Sequence, residues 1–437
     1  MTLKRLLANM AILVCILMVL VGIAASQEKT TIRVMSYFVP TDAVTPYLEE
    51  VFRKFEKDFP DFRVQHEGLE SADFRTKLSV EMAAGNPPDV SYVVISLSWE
   101  YGSKGLLMNL APVLEEDKAW RETILPRAIE AFSTKGGEIY AAPFIAQIGG
   151  LYYNKNVYSK AGISGPPKTW DELMVQVEKI KNVGAYPFVT GGKEWRYAWF
   201  ITQLLVRTAG VDKIKELAYG SEVTGWNKPE NGFIEALRLF KELIDAGAFP
   251  EGLNGIPRDI ARMMFVQNQA AMYYEGSWKV NVWKTLGGED FLNNSVGWAL
   301  FPEIPGQLGD QDGMVGGPVH GWGISAKLEE PKRSKVIELV KRMMSPEIAG
   351  VFFERSQPVV VKVSEDVMAK LHPILIKQLE EYGKTKRAVL PTDVICVPPV
   401  DNAIKKIAVP GIVDGSLTPE EAAEEVNKAA EKYFLGK

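Results

Sequence analysis

Four tryptophans of this chain lie beside small or polar residues rather than in the apolar stripes typical of a helix core. They are Trp195, Trp199, Trp278 and Trp322. Trp278 follows a Gly-Ser pair at the end of an apolar run, a position that projects a flat ring from the end of a strand. The C–H groups of a pyranose ring pack on such faces. Packing in the core is the alternative interpretation of each ring.

Polar side chains that suit sugar hydroxyls accompany these rings. They are Gln147, Asn154, Glu194 and Arg196, and they offer amide, carboxylate and guanidinium groups as donors and acceptors. This pairing of rings and polar groups favours binding of a polyhydroxylated ligand.

Motifs for covalent or phosphate chemistry are missing from the sequence. There is no Gly-x-Ser-x-Gly elbow, no Gly-x4-Gly-Lys-Ser/Thr loop and no His-Glu-x-x-His pair. The three histidines, His66, His320 and His372, are far apart, so neither a metal site nor a serine triad is predicted. A glycosidase-type pair of catalytic carboxylates among the 55 acidic residues is an alternative that the sequence leaves open.

Residues 1–26 have the pattern of a secretory signal peptide. Lys4 and Arg5 precede an apolar run, Met10–Val21, which ends in small residues. We expect cleavage after residue 26 and export to the periplasm or the outer face of the cytoplasmic membrane. A retained anchor is the alternative, because Leu6–Ala25 is almost long enough to span a bilayer.

Charge and cysteine count argue against nucleic acid binding and against an internal disulfide in the exported chain. Cleavage would remove two positive charges and no negative one, which moves the formal net charge from −5 to −7. Nucleic acid is therefore not an expected partner, because phosphate binding needs a basic face. Cys396 would be the only cysteine left, so no internal disulfide is expected.

Length and periodicity predict an α/β protein with more than one lobe. A chain of 437 residues exceeds one ordinary core. Strand patterns at Thr31–Phe38, Phe62–Gln65 and Val90–Leu97 alternate with helical patterns after Pro46 and over Ala72–Ala84. This alternation is typical of helices that cover both faces of a sheet.

The middle of the chain carries further local signals. Ile139–Phe144 and Leu151–Tyr153 are predicted as separate strands, and residues 306–317 as a flexible loop. Thr169 and Glu172 match a reciprocal capping box at a helix start. A second capping box is predicted at Thr418.

Five motifs in a fixed order carry a resemblance to a known family. They are AAGNPPDV at 83–90, LYYNKNVYSKAGISGPPKTWDEL at 151–173, QAAM and GSW within 269–278, WGIS at 322–325 and GSLTPEEAA at 415–423. The chain resembles the extracellular solute-binding proteins of bacterial ABC importers, in the sugar-binding branch that includes maltose-binding protein.

The resemblance implies the periplasmic-binding-protein fold, in which hinge segments join two α/β lobes around an interlobe ligand cleft. Lobe 1 would be 27–146 with 322–359, and lobe 2 would be 147–321 with 360–437. Chain crossings are expected near Ile145–Gly149, Val315–Trp322 and Ser356–Val363.

The resemblance also implies a set of ligand contacts. Matching positions are Tyr37, Asp42, Ser71, Asp73, Ser96, Gln147, Glu194, Trp195, Arg196, Trp278, His320, Trp322 and Asn402. Gln147 stands where maltose-binding protein has a glutamate, and two further positions lack the family's acidic or aromatic groups. These departures favour a sugar other than maltodextrin, or a smaller one.

The sequence therefore predicts the substrate-binding component of an ABC transporter. It would capture a mono- or oligosaccharide by hinge closure and deliver it to the membrane permease, as a monomer without catalysis, cofactor or metal. A secreted carbohydrate-active enzyme with a carboxylate pair is the first alternative, and a binding protein for a non-sugar solute is the second.

Overall fold

The computed structural model describes residues 29–385 and 387–436, with the backbone alone for residues 71 and 72. The predicted signal segment lies outside the described residues. Over the two described ranges, no helix combines the length and the apolar character needed to cross a bilayer.

Strands and helices alternate along most of the chain. The strands are β1 (Thr30–Ser36), β2 (Phe62–Gly68), β3 (Val90–Val94), β4 (Ala142–Asn154), β5 (Tyr186–Phe188), β6 (Ala270–Gly276), β7 (Val296–Ala299), β8 (Met314–Ile324) and β9 (Ala388–Val389). The α-helices are α1 (Thr45–Asp58), α2 (Ser71–Ala83), α3 (Ile95–Ser103), α4 (Ala111–Glu116), α5 (Lys118–Thr123), α6 (Pro126–Phe132), α7 (Lys155–Lys160), α8 (Trp170–Asn182), α9 (Ala198–Thr208), α10 (Val211–Tyr219), α11 (Phe233–Asp245), α12 (Arg258–Val266), α13 (Lys279–Asp290), α14 (Lys332–Met343), α15 (Pro346–Glu354), α16 (Glu365–Met368), α17 (Pro373–Lys384), α18 (Thr392–Ile395), α19 (Pro398–Ala403), α20 (Val409–Asp414) and α21 (Pro419–Phe434).

The described chain divides into two compact units, of which the first holds residues 29–91 and 327–343. Here β1 pairs in parallel with β2, Thr30 opposite Phe62, and with the start of β3. Helix α1 buries Leu48, Phe52 and Phe55 on one face. The alternation of strands and amphipathic helices predicted for this part of the chain is confirmed.

The second unit holds residues 92–326 and 344–436 and is organised around β4. Strand β4 pairs antiparallel with β6, β7 and β8, while β5 joins β6 in parallel and β9 joins β8 in parallel. On β6, Met272 and Tyr274 face one apolar core and Tyr273 faces another. Both faces of β6 are therefore buried, as in a sheet covered by helices on both sides.

Three local predictions differ from the structure. The two strands expected at 139–144 and 151–153 are one strand, β4, because Gly149 and Gly150 pair with β6 instead of ending the ladder. Residues 314–317 belong to β8, since they pair with β4 and β9 rather than forming a loop. The third expected strand stops at Val94, and the chain turns into α3 from Ile95.

The helix caps follow the sequence more closely. The Thr169 hydroxyl accepts a hydrogen bond from the Glu172 amide at 3.3 Å, and Thr418 and Glu421 form a complete capping box. The reciprocal bond expected from Glu172 is wrong by one residue, because its carboxylate accepts from the Lys168 amide at 2.7 Å. That bond still satisfies a free amide at the helix start.

The three segments predicted as chain crossings lie against one another. Ile148 on β4 is in register with Gly316 on β8. The Ala146 amide donates to the Pro358 carbonyl at 2.8 Å, and the Val360 amide donates to the Phe144 carbonyl at 2.8 Å. The division into lobes 27–146 with 322–359 and 147–321 with 360–437 stays a prediction.

Candidate functional site

Two tryptophan rings meet over two glycines at the centre of the second unit. Gly149 of β4 lies opposite Gly276 of β6. A Cβ at Gly149 would lie 3.2 Å from the Trp199 ring, and a Cβ at Gly276 would collide with the Trp278 ring. The two rings touch edge to face, with centroids 5.1 Å apart and planes at 81°. We call Trp199 and Trp278 the tryptophan pair.

The two rings differ in exposure. Trp199 is buried, whereas Trp278 is only partly buried and packs on the edge of the core. Part of the Trp278 ring is therefore accessible, and Trp199 holds it from behind. This is the arrangement that a ring-stacking platform requires.

Gln147 lies on the same face of β4 as the tryptophan pair. Residues two apart on a strand point to the same side, so the Gln147 side chain projects where a Cβ of Gly149 would. It is half-buried, and its amide makes no hydrogen bond to the residues that the structure describes. A half-buried amide without a partner is suited to a ligand that carries hydroxyl groups.

Arg196 lies beside Trp278 and is held by a buried carboxylate. Its Nε donates to Glu275 Oε1 at 2.7 Å, its Nη2 donates to the same oxygen, and its Cζ lies 6.0 Å from the Trp278 ring centroid. The other Glu275 oxygen lies 2.7 Å from Lys279 Nζ. Arg196, Glu275 and Lys279 are called the ion cluster.

The three side chains of the ion cluster differ in solvent exposure. The side chains of Lys279 and Glu275 are 0% and 1% exposed, and that of Arg196 is 24% exposed. The Lys279 ammonium also lies over the rings of Tyr273, at 4.6 Å, and Trp283, at 5.4 Å. The cluster therefore runs from the core behind β6 to the accessible surface at Arg196.

Burial and charge act against each other on the pKa values of this cluster. Burial lowers the pKa of Lys279 to about 7, although Glu275 opposes this effect. Burial alone would raise the pKa of Glu275, but Arg196 and Lys279 lower it to about 2. For Arg196, burial lowers the pKa and Glu275 raises it, with a net rise. Glu275 is therefore an ionised hydrogen-bond acceptor at neutral pH and not a proton donor.

Trp195 projects from a strained turn. Its φ is +55°, in the left-handed region that side chains rarely adopt, and its side chain is 38% exposed. Lys406 Nζ lies 4.9 Å from the ring centroid. The neighbouring Glu194 carboxylate accepts from the Arg258 amide at 2.7 Å, at the start of α12. This bond anchors the turn, so one oxygen of Glu194 is already occupied.

The remaining predicted residues of the second unit lie in different settings. His320 on β8 is buried and stacks on Tyr92 at 4.9 Å, with ring planes 10° apart. Trp322 is 0% exposed and packs on the same tyrosine at 4.7 Å. Ser96 is half-buried in α3, and Asn402 is exposed in α19. Complete burial favours a packing role for Trp322.

The predicted residues of the first unit follow the ends of β1 and β2. The Tyr37 ring packs edge-on against Phe74 at 5.9 Å. Asp42 accepts from the Val39 amide at 3.2 Å, and burial raises the pKa of its carboxyl group. Asp73 is exposed in the first turn of α2. The side chain of Ser71 lies outside the described part of the structure.

The structure thus places Arg196 beside Trp278 and Gln147 on the face of β4 that the tryptophan pair covers, and it adds three residues that the prediction missed. The sequence marks Trp199 as an aromatic beside polar residues but does not place it among the predicted ligand contacts. Glu275 and Lys279 carried one usable signal, a carboxylate in an apolar strand with a lysine four residues later. That spacing is common on surfaces, so it did not single out a buried pair.

Comparison with known proteins finds similarity to bacterial solute-binding proteins. The family model described as bacterial extracellular solute-binding protein matches residues 41–349. A multiple sugar-binding protein of Streptococcus mutans is 24% identical over 356 residues, which cover 80% of each chain.

Solved structures extend the similarity to about nine tenths of the chain. A chitin oligosaccharide binding protein is 26% identical, with a TM-score of 0.79 over 92% of this chain and 98% of that chain. The binding protein RafE, solved in complex with raffinose, has a TM-score of 0.72 at 20% identity and covers 92% of this chain and 99% of its own.

Proposed function

The chain belongs to the bacterial extracellular solute-binding proteins, and we propose that it binds a mono- or oligosaccharide for an ABC transporter. Its α/β fold is that of the two-lobed proteins among its structural relatives, as predicted. The family is one of solute-binding proteins rather than enzymes, it is extracellular, and its members work with ABC permeases.

One observation carries the carbohydrate assignment, namely the tryptophan pair with the polar groups beside it. Trp278 offers a partly accessible ring, backed by Trp199 at 5.1 Å. The outer edge of the Arg196 guanidinium beside that ring, and Gln147 on the same face of β4, supply hydrogen-bonding groups. A pyranose needs this combination of an apolar face and several donors and acceptors.

We propose the following contact residues for this ligand. From the second unit they are Ser96, Gln147, Glu194, Trp195, Arg196, Trp278, His320 and Asn402. From the first unit they are Tyr37, Asp42, Ser71 and Asp73, which rest on the resemblance alone. Trp322 is not retained, because its ring is completely buried.

Closure about the crossing segments accompanies binding in this proposal. Ala146, Gly316 and Pro358 belong to three adjacent crossings, where small backbone rotations would move whole lobes. Trp99 of predicted lobe 1 and Tyr219 of predicted lobe 2 touch edge to face, at 6.1 Å and 83°. This ring contact would break on opening and contribute to the closed state.

Three further features belong to the proposal. We propose that residues 1–26 direct export and are then removed, that the mature protein works as a monomer, and that nucleic acid is not a partner. Size-exclusion chromatography with light scattering tests the oligomeric state, and mass spectrometry of protein exported from a bacterial host tests the cleavage site.

A thermal-shift screen tests the ligand class. A ligand that binds only the folded state raises stability by RT ln(1 + [L]/Kd). We expect a shift with at least one sugar in a panel of glucose, maltose, xylobiose, chitobiose and raffinose. A shift with peptides or polyamines and none with any carbohydrate would reject the sugar assignment.

The enzymatic alternative is tested separately. Two carboxylates beside Trp195 and Arg196 are engaged, Glu275 by two cations and Glu194 by the Arg258 amide. A glycosidase general acid needs a raised pKa, whereas that of Glu275 is lowered. We therefore expect no turnover of chromogenic glycosides, and hydrolysis that survives further purification would reject the receptor proposal.

A further inference from the structure

Lys279 is a buried cation whose position calls for an explanation beyond stability. Its side chain is 0% exposed and its charge is met by one carboxylate oxygen, at 2.7 Å, and two aromatic faces. Burial of an ion pair costs desolvation energy, and well-packed apolar residues are often as stable or more so. The first turn of α13 would accept such a residue.

The carboxylate that Lys279 meets is also the one that holds Arg196. Glu275 Oε1 accepts two hydrogen bonds from the guanidinium, and Oε2 faces Lys279. The Nη1 group of Arg196 makes no hydrogen bond within the described residues, and the side chain reaches the surface beside Trp278. The chain of contacts therefore runs from a buried ammonium to an accessible donor.

We propose that Lys279 is a positioning residue, which acts through Glu275 to orient Arg196 toward the carbohydrate and makes that orientation depend on protonation. The proposal rests on the proposed function for its effect on binding. The coupling of Lys279 to Arg196, which is the structural part of the proposal, does not depend on the proposed function.

The coupling has a defined direction. With Lys279 protonated, Glu275 divides its charge between two cations, and Arg196 is held through one oxygen. Loss of the proton frees Oε2 for Arg196, so the guanidinium can turn into a bidentate pair with Glu275, away from Trp278. Carbohydrate affinity should therefore fall as the pH rises through the titration of Lys279, whose pKa burial lowers to about 7.

The other charged groups near Lys279 and Arg196 do not account for the expected pH dependence of carbohydrate affinity. Lys279 also faces Arg262 and Tyr273, and Arg196 faces Asp393. The arginine keeps its charge throughout this range. Burial raises the pKa of Tyr273, which stays neutral. Removal of Lys279 should therefore remove the coupling.

The first test needs no ligand. The side-chain N–H resonance of Arg196 is observed with isotope-labelled arginine and identified by its loss in Arg196→Lys. In the wild-type protein we expect it to shift between about pH 6 and about pH 8.5, and in Lys279→Met we expect it to stay constant. A wild-type resonance that does not move, or a Lys279→Met resonance that moves as in the wild type, overturns the proposal.

The second test measures binding by calorimetry with the sugars of the thermal-shift panel. Wild-type affinity should weaken by up to about tenfold across the same pH range, the factor expected when the ligand loses one hydrogen bond from a charged donor. Lys279→Met should be pH-independent and match the wild type at high pH. Should that variant not fold, Lys279→Arg serves instead, and both readouts should be pH-independent at the low-pH value.

The two tests separate the two claims. A pH-dependent Arg196 resonance that requires Lys279, together with no binding of any sugar in the panel, rejects the proposed function and leaves the positioning role standing. Sugar binding with an unchanged pH profile in Lys279→Met and in Lys279→Arg rejects the positioning role and leaves the function standing.

Discussion

The ring of Trp278 meets the ring of Trp199 edge to face, 5.1 Å apart, above a pair of glycines that face each other across two strands. Gly149 and Gly276 carry no side chains, and that space is filled by the two rings. One accessible aromatic face is thus held in place by the end of β6, the start of α9 and the two glycines.

Replacement of Trp278 by alanine should weaken carbohydrate binding by about 1–3 kcal/mol, because the variant loses an apolar face and an aromatic contact. Calorimetric titration measures the change. Leu308→Ala is the control, since Leu308 is 94% exposed in a loop and should not alter affinity. Equal affinities for the wild type and Trp278→Ala would show that the ring only packs.

Replacement of Gly149 by alanine should lower both stability and affinity. The new Cβ would lie 2.7 Å from the Val315 carbonyl oxygen and 3.2 Å from the Trp199 ring, so strand or ring must shift, at a cost of about 1–3 kcal/mol in unfolding free energy. Gly165→Ala is the matched control, because a Cβ there meets no atom within 4 Å. Urea denaturation compares the two, and a neutral Gly149→Ala would contradict the packing described here.

Arg207 should be essential for the stability of the second unit. It is 1% exposed, and its guanidinium donates to the carbonyls of Phe301, Pro302, Asp310 and Gly313 at 2.6–3.0 Å. Arg207→Met leaves these carbonyls unsatisfied and should cost about 3–5 kcal/mol in unfolding free energy.

The control for Arg207 is an arginine on the surface. Arg238 is 52% exposed and pairs with Glu235 and Glu420, so Arg238→Met should cost less than about 1 kcal/mol. Chemical denaturation measures both variants. Equal losses would mean that the buried carbonyl contacts of Arg207 contribute no more than a surface ion pair.

Stability should depend on pH through Lys279. Burial lowers its pKa from 10.5 to about 7 in the folded chain. Below about pH 7 both states carry the proton, so the penalty of burying the charge is fully present. Between about pH 7 and 10.5 only the unfolded state keeps the proton, so this contribution to stability rises with pH, by up to about 1.4 kcal/mol per pH unit.

The difference between the wild type and Lys279→Met isolates this contribution. We expect the unfolding free energy of the wild type to rise relative to that of the variant from about pH 7 to about pH 9. Lys241→Met is the control, because Lys241 forms an exposed ion pair with Asp245 at the same four-residue spacing. A constant difference for Lys279→Met across this range would mean that Lys279 stays protonated.

Much of the framework follows from short-range chemistry in the sequence. Thr169 and Thr418 cap their helices as predicted, because a hydroxyl just before a helix accepts a hydrogen bond from the backbone amide three residues later. The order of strands and amphipathic helices in the first unit follows from periodicity. Such signals need only neighbours along the chain.

Features set by distant residues were not predictable in this way. Gly149 and Gly150 suggest a strand end locally, yet pairing with β6 carries β4 through them. Glu275 and Lys279 resemble a surface pair until the rings of Tyr273 and Trp283 enclose them. The burial of Trp322 against Tyr92 likewise depends on the contact of two segments far apart in the chain.

Tyr219 should contribute to the closed form of the protein. Its ring meets Trp99, whose indole nitrogen is itself fixed by the Phe132 carbonyl at 3.0 Å. Tyr219→Ala should weaken carbohydrate binding by about 0.5–1.5 kcal/mol through loss of the aromatic pair, with little effect on stability. Tyr433→Ala, at an exposed position in α21, is the control. Unchanged affinity in Tyr219→Ala would show that this contact does not favour closure.

Isothermal titration calorimetry of the purified protein against neutral sugars decides whether the protein is a carbohydrate receptor. We expect saturable one-to-one binding of at least one mono- or oligosaccharide, weakened by Trp278→Ala and unaffected by Leu308→Ala. Saturable binding of a peptide or polyamine, with no heat from any carbohydrate, would contradict it.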